Sequence, residues 1–369
     1  MSSKRKAKSK ASSNAALHSQ LAKKVVSHSV HLKQGDSVTV ETWNNGLEFA
    51  KEVVKEARKV GALPILILED EEVYISGLKN TPKEYLGKMG KHEYNLLSTT
   101  DAYVFIPGPP IGVYTPMVPT EEGSAATSYN SSWYEAAEKA GVRGVRLTFG
   151  YVGPDVSKLL GKKQDEIVRR QLKASLVDSD ILQNSGRPIL AMLGDGAEAK
   201  LETGSVSLAF NLKGDTGIED GVADDADVAG KNNISYVLPG MIWKEIDPTT
   251  ASGSIKISGA ITRLGLVGES LLEFENGKLV TWTSKNKSTQ QKLDSIVGNL
   301  TSERRVLSMI TIGLNPLLPY GYAQDRFVAG SVGLSGFGFT GIVKNATLKI
   351  GAESVVEKGK LVSLKSGSE

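Results

Sequence analysis

The 369-residue chain contains no Cys and four His, at positions 18, 28, 31 and 92. Thiolate metal centres, iron–sulfur clusters, disulfides and thiol nucleophiles are therefore excluded, and no imidazole is available after residue 92. His28 and His31 stand three apart, a spacing that places two imidazoles on one helix face, as in many metal pairs. They adjoin Lys33 and a Gly35-Asp36 turn without a carboxylate to complete a ligand set, and read as a solvated surface pair. Glu219, Asp220, Asp224, Asp225 and Asp227 supply oxygen donors for a hard cation but lack the calcium-loop spacing and its closing Glu. They read as a solvated excursion between strands. Gly336, Gly338 and Gly341 satisfy the dinucleotide fingerprint, yet no helical pattern follows and no acid stands at the expected distance. Ser124 follows Gly123, but no later His is available as its base.

The elements that must position any site belong to an ordinary globular chain, 40% hydrophobic and 23% charged, long enough for two domains. Its formal charge of +3 is lopsided. The first 35 residues hold eight basic and no acidic side chains, leaving 36 basic against 41 acidic in the rest. Residues 1–13 read as a basic flexible tail, either a solvated extension or a contact for nucleic acid or another polyanion through Lys4, Arg5, Lys6, Lys8 and Lys10. The tail lacks the apolar core of a secretory signal, so a cytoplasmic location is expected. The longest uncharged stretch, Phe327 to Val343, has 17 residues with five Gly and is short for a membrane span; it reads as buried, tightly turning backbone, and no membrane association is expected.

Apolar residues recur at helical spacing from Asn14 to Val30, and Ser37 to Thr42 alternates as a strand. A helix from Leu47 to Val60 stops at Gly61, and the continuous apolar run Leu63 to Leu68 predicts a buried second strand, completing a βαβ unit. Ala102 to Ile106 and Val142 to Phe149 add strands around a helix at Ser131 to Lys139, and a charged helix spans Lys162 to Leu176. After Pro188 to Leu193 the pattern becomes short alternating segments at Val206–Leu212, Ser254–Ile257, Ser270–Phe274 and Lys278–Thr283. The fold class expected is α/β in two domains: an N-terminal βαβ domain with a mostly parallel sheet over 14–180, and a C-terminal α+β domain with antiparallel strands over 181–369.

Leu21-Ala22, Val25-Val26, the segment Leu32 to Val38 and Gly61-Ala62-Leu63-Pro64 resemble the opening of the aminopeptidase T family of metallopeptidases, the thermophilic-type leucyl aminopeptidases. The resemblance continues through Gly204 to Lys213, Leu238-Pro239-Gly240, Leu272 to Lys278, Ile312-Gly313-Leu314-Asn315-Pro316 and Lys349 to Leu361. It implies a two-domain enzyme, usually a homodimer, whose C-terminal domain holds two divalent ions that activate water and polarise the scissile carbonyl.

The implied ligands are a Glu after Pro-Gly, a Glu before the Ile-Gly-x-Asn-Pro turn, a His in a Gly-rich strand and a late His-x-Asp. Here those positions carry Met241, Met309, Gly333, Phe339 and Gly341. Methionine cannot carry the charge that offsets a buried dication, but its thioether can fill an emptied cavity. The sequence therefore reads as an aminopeptidase-fold protein without metal-dependent peptidase activity, needing no cofactor and acting as a binding or structural protein. The alternative is an active metallo-aminopeptidase that releases N-terminal residues through a rearranged carboxylate site at Glu245, Asp247, Glu303 and Asp325, with zinc, cobalt or manganese.

Overall fold

A computed structural model describes residues 14–108, 120–262 and 264–362; for 120–128 only the backbone is described. The chain divides into two compact units, one comprising residues 1–176 with 221–238 and the other 177–220 with 239–369.

In the first unit, helix α1 (residues 14–24) ends in a π-turn at Val25–Ser29, and its Leu21, Ala22, Val25 and Val26 are buried. Strand β1 (Ser37–Trp43) leads through α2 (Leu47–Lys59) to β2 (Leu63–Glu69). Helices α3 (Glu71–Asn80) and α4 (Lys91–Ser98) precede β3 (Ala102–Ile106); α5 (Thr120–Ala140) precedes β4 (Arg143–Leu147). Short α6 (Pro154–Leu160) and α7 (Gln164–Ala174) complete this stretch. The buried residues of α2, Phe49, Ala50, Val53 and Ala57, recur at helical spacing and form one core with Val38, Val40, Ala102, Val104 and Leu147. Side chains alternate along a strand, so the opposite sheet face presents Glu41, Phe105 and Arg146, aligned by register.

The run Leu63–Leu68 is a strand, but it is not buried. Among the described residues it pairs only with β1, at the sheet's edge, and Leu63, Ile65, Leu66 and Leu68 are 65%, 47%, 41% and 49% exposed. A continuous apolar run specifies a strand without specifying its place in the sheet.

The second unit begins with α8 (Ser179–Leu190), β5 (Glu198–Thr203) and β6 (Val206–Glu219). The chain then re-enters the first unit, so one cut near residue 180 does not describe the division. The acidic run builds this return. Asp224 accepts from the backbone N–H of Ala226 and Asp227 at 2.8 and 2.9 Å, and Asp227 accepts from Asp224 N–H at 3.0 Å, capping α9 (Asp225–Ala229). Strand β7 (Ile234–Val237) follows and pairs in parallel with β4, giving the order β2-β1-β3-β4-β7 among the described residues.

Back in the second unit come β8 (Met241–Ile246), β9 (Ser252–Ile257), β10 (Ala260–Thr262), β11 (Gly265–Val267), β12 (Ser270–Glu275) and β13 (Lys278–Thr283). Helix α10 (Lys287–Val297) is followed by β14 (Met309–Gly313), β15 (Val332–Ser335) and β16 (Thr340–Val343), then β17 (Thr347–Ile350), β18 (Glu353–Glu357) and β19 (Lys360–Leu361). Antiparallel pairing joins most of these strands into one large sheet over an apolar core that includes Leu208, Phe210, Ile242, Ile310, Leu334 and Phe337.

Two of the landmark segments meet in one corner of that sheet. Gly240, at φ +108°, lies so close to Asn315 that a β-carbon would approach its backbone nitrogen to 2.8 Å. Asn315 donates from Nδ2 to the Pro239 carbonyl at 2.7 Å, and Leu314 N–H donates to the Gly240 carbonyl at 2.8 Å. Glycine and asparagine are required there to lock the start of β8 to the end of β14. Among the described residues, no helix is long and apolar enough to cross a membrane.

Candidate functional site

Strands β8, β14 and β15 run side by side, with Met241 opposite Gly313, Trp243 opposite Thr311, Glu245 opposite Met309, and Thr311 opposite Gly333. Directly opposed residues share a sheet face. Met241, Met309 and Gly333 therefore lie on one side, while Ile242, Ile310, Ile312, Val332 and Leu334 fill the core on the other. The two methionines are four strand residues apart, about 13 Å at ~3.3 Å per residue, so the register does not bring them into one cavity.

Between them stands Thr311, fully buried, whose hydroxyl has no hydrogen-bond partner. A β-carbon on Gly333 would approach that oxygen to 2.3 Å, so the position where the resemblance implies His is closed to any side chain as packed. Phe339 packs edge-on to Phe337 with ring centroids 4.9 Å apart. Gly341 pairs with Leu334, and a β-carbon there would meet Ile257 at 2.9 Å. These five positions offer two thioethers, one ring and two glycines, a donor set that does not fit a pair of divalent cations.

The four carboxylates of the alternative site each have local partners. Glu245 is exposed and accepts from Asp215 N–H at 3.0 Å. Asp247 accepts from the Thr249 hydroxyl at 2.6 Å and its N–H at 3.0 Å, bonds that hold its carboxyl below the usual range, and faces Lys213 at 3.6 Å. Glu303 is exposed, its pKa lowered by hydrogen bonds from its own backbone and from Thr301. Asp325 accepts from Gly321 N–H at 2.6 Å and pairs with Lys344 at 3.1 Å. Among the described residues, no group of three or more His, Asp or Glu is arranged to hold a metal ion.

The other sequence candidates fall elsewhere. The rings of His28 and His31 lie 5.7 Å apart, but His31 is outside the helix at φ +46°, and Arg143 donates to its carbonyl at 3.0 Å. Gly336 and Gly338 turn the chain between β15 and β16. Lys4, Arg5, Lys6, Lys8 and Lys10 lie outside the described residues.

A pocket open to solvent lies on the first unit's sheet, on the face away from α2. Glu41 from β1, Tyr103 and Phe105 from β3 and Arg146 from β4 line it with Tyr129 and Trp133 from α5. The Tyr103 hydroxyl donates to Glu41, and the Tyr129 hydroxyl donates to Glu93 of α4, whose other oxygen accepts from Gly90 N–H at 2.6 Å. Trp133 stacks edge-on with Tyr103 at 5.0 Å. Arg146 donates to the Tyr134 hydroxyl at 3.1 Å and lies 5.5 Å from the centre of the Phe105 ring and 5.2 Å from that of Tyr151.

Burial pushes the Glu41 carboxyl up to about 7, against the pull of the Tyr103 hydrogen bond, with repulsion from Glu69 and Glu93 adding to the rise and Arg146 opposing it. Burial, then Glu93, raises Glu69 as well. The pocket thus holds a carboxyl near half-ionisation among aromatic rings. Its residues are spread from Glu41 to Ile234 and carry no motif; the available signals were Glu41 and Arg146, charged residues inside otherwise apolar strand patterns.

Comparison with known proteins bears on the fold and on the first unit. Residues 15–145 match the family model described as thermophilic metalloprotease (M29). No curated protein matches the sequence. The structure is similar to that of wild-type AmpT from Thermus thermophilus, with a TM-score of 0.67 and 15% identity over 94% of this chain and 99% of that one. It is also similar to 2,5-dihydroxypyridine dioxygenase from Pseudomonas putida KT2440, with a TM-score of 0.63 and 12% identity over 95% and 98%. At these identities the structural likeness carries the fold alone. The chain thus resembles the thermophilic metalloproteases (M29) in sequence over residues 15–145 and shares the two-part α/β fold of AmpT across nearly its whole length.

Proposed function

We propose that this is an aminopeptidase-fold protein that has lost metal-dependent peptidase activity and acts as a binding protein. The observation that carries the reading is the sheet face bearing Met241, Met309 and Gly333, where thioethers and a closed glycine stand at the positions the resemblance gives to charged ligands. The same fold serves a protein named as a dioxygenase, so the fold does not dictate peptide hydrolysis. An active enzyme would need Glu245, Asp247, Glu303 and Asp325 to leave their present partners and converge. The test is metal content of the purified protein together with hydrolysis of leucyl substrates in zinc, cobalt and manganese. Absence of turnover with each ion is expected; stoichiometric metal with turnover would establish the enzyme reading instead.

The partner readings belong to the same proposal. The apolar edge strand β2 supports a homodimer, and the basic charge of residues 1–13 supports a polyanion contact in the cytoplasm. Deleting residues 1–13 should abolish salt-sensitive nucleic-acid binding while leaving the unfolding midpoint unchanged; binding that survives the deletion refutes the tail's role.

A further inference from the structure

We propose that the pocket formed by α5 and the sheet face bearing Glu41 and Arg146 is a binding site for a small organic ammonium cation with an apolar or aromatic body. It opens to solvent between α5 and the sheet. Its walls are the rings of Tyr103, Phe105 and Trp133, whose faces attract cations and whose area packs an apolar body. Arg146, beside Phe105 and Tyr151, shows that these aromatic surroundings already accommodate one cation.

Charge selects the ligand's sign. Glu41, Glu69 and Glu93 act on one another from β1, β2 and α4, and Arg146 is the cation opposing them at Glu41. No salt bridge reaches Glu41 among the described residues; Tyr103 is its hydrogen-bond donor. An ammonium group can donate to that carboxylate, whereas an anionic ligand would be repelled by it, and Glu69 and Glu93 add their charge from outside the lining. A metal ion is disfavoured because the remaining wall atoms are ring carbons and phenols rather than charged ligands. Cation binding also fixes Glu41 in its ionised form, so it must release the proton held by the free carboxyl. The titratable groups facing Glu41 among the described residues are Tyr103, Tyr129, Glu69, Glu93 and Arg146; burial raises both tyrosines, so neither supplies the proton, and Glu41 is the carboxyl that the ammonium group would contact.

The test is calorimetry on the full chain with 2-phenylethylammonium, 2-phenylethanol and phenylacetate. Saturable binding of the ammonium probe alone is expected, weakened at least ~10-fold by Glu41→Gln. Repeating the titration in buffers of different ionisation heat should show more proton release near pH 6 than near pH 8. Failure of the ammonium probe to bind, equal binding of the alcohol or phenylacetate, or affinity unchanged in Glu41→Gln would overturn the proposal. The three-probe comparison on the unsubstituted protein decides it even if the variant does not fold. This inference stands on the first unit alone, so peptide hydrolysis by the protein would not refute it.

Discussion

Two sheet faces are each built from neighbouring strands: register lines up Glu41, Phe105 and Arg146 in one row of the first unit, and Trp243, Thr311 and Gly333 in one row of the second, with Met241 and Met309 two residues to either side on the same face. In the second unit the row has neither a charge at its centre nor space for one: Thr311 is fully buried and the contact across to Gly333 is closed. In the first unit a carboxyl and a guanidinium remain on the row beside open space, at a cost recorded in the raised pKa of Glu41. On the proposed reading, charge and volume are replaced together, because an emptied cavity would cost packing energy. Retaining a half-ionised carboxyl in an aromatic pocket is a continuing expense that binding can offset.

The largest effect that would break this contrast comes from filling Gly333. Gly333→His should destabilise the protein by about 3 kcal/mol, because a β-carbon already collides with Thr311 Oγ1, and it should not confer zinc binding. Denaturant unfolding with and without zinc checks this; a stable variant that binds zinc stoichiometrically would mean the face is a dormant site.

A smaller effect lies in the first unit. The raised pKa of Glu41 means that the folded state binds more protons than the unfolded state between about pH 4.5 and about pH 7. This group's contribution to stability is therefore greatest below that window and is lost as pH rises through it. Glu41→Gln should remove the decline and leave the variant more stable than the parent near pH 8, by on the order of 2 kcal/mol. Unfolding curves across pH 4 to 8 test it; parallel pH profiles for the two proteins would show that Glu41 is not buried at a cost.

The smallest effect sharpens the description of the closed face. Thr311→Val replaces a buried hydroxyl without a partner and should raise stability by about 1 kcal/mol. A loss of similar size would mean that the hydroxyl is satisfied by a bound group.

Much of this architecture was legible in residue patterns. The strand expected at Lys278–Thr283 is β13 with the same limits, and the helix expected at Leu47–Val60 differs from α2 by its final residue. Periodicity reports which face of an element is apolar, and both segments have one buried face. It does not report which strands pair. Hence Leu63–Leu68 is expected to be buried and lies exposed at the sheet's edge, and the return of residues 221–238 to β4 could not be read from an acidic run that looked like a loop. The replaced ligand positions were legible only through the family resemblance. The aromatic pocket was not anticipated, because its residues become neighbours through parallel pairing between distant segments.

The account rests most heavily on the second unit having no divalent-metal site. The direct measurement is calorimetric titration of zinc, cobalt and manganese into the metal-free full chain. The account predicts no saturable binding at one or two ions per chain and no change in unfolding temperature with either metal or chelator. Saturation at two ions per chain, accompanied by a rise in unfolding temperature, would contradict it.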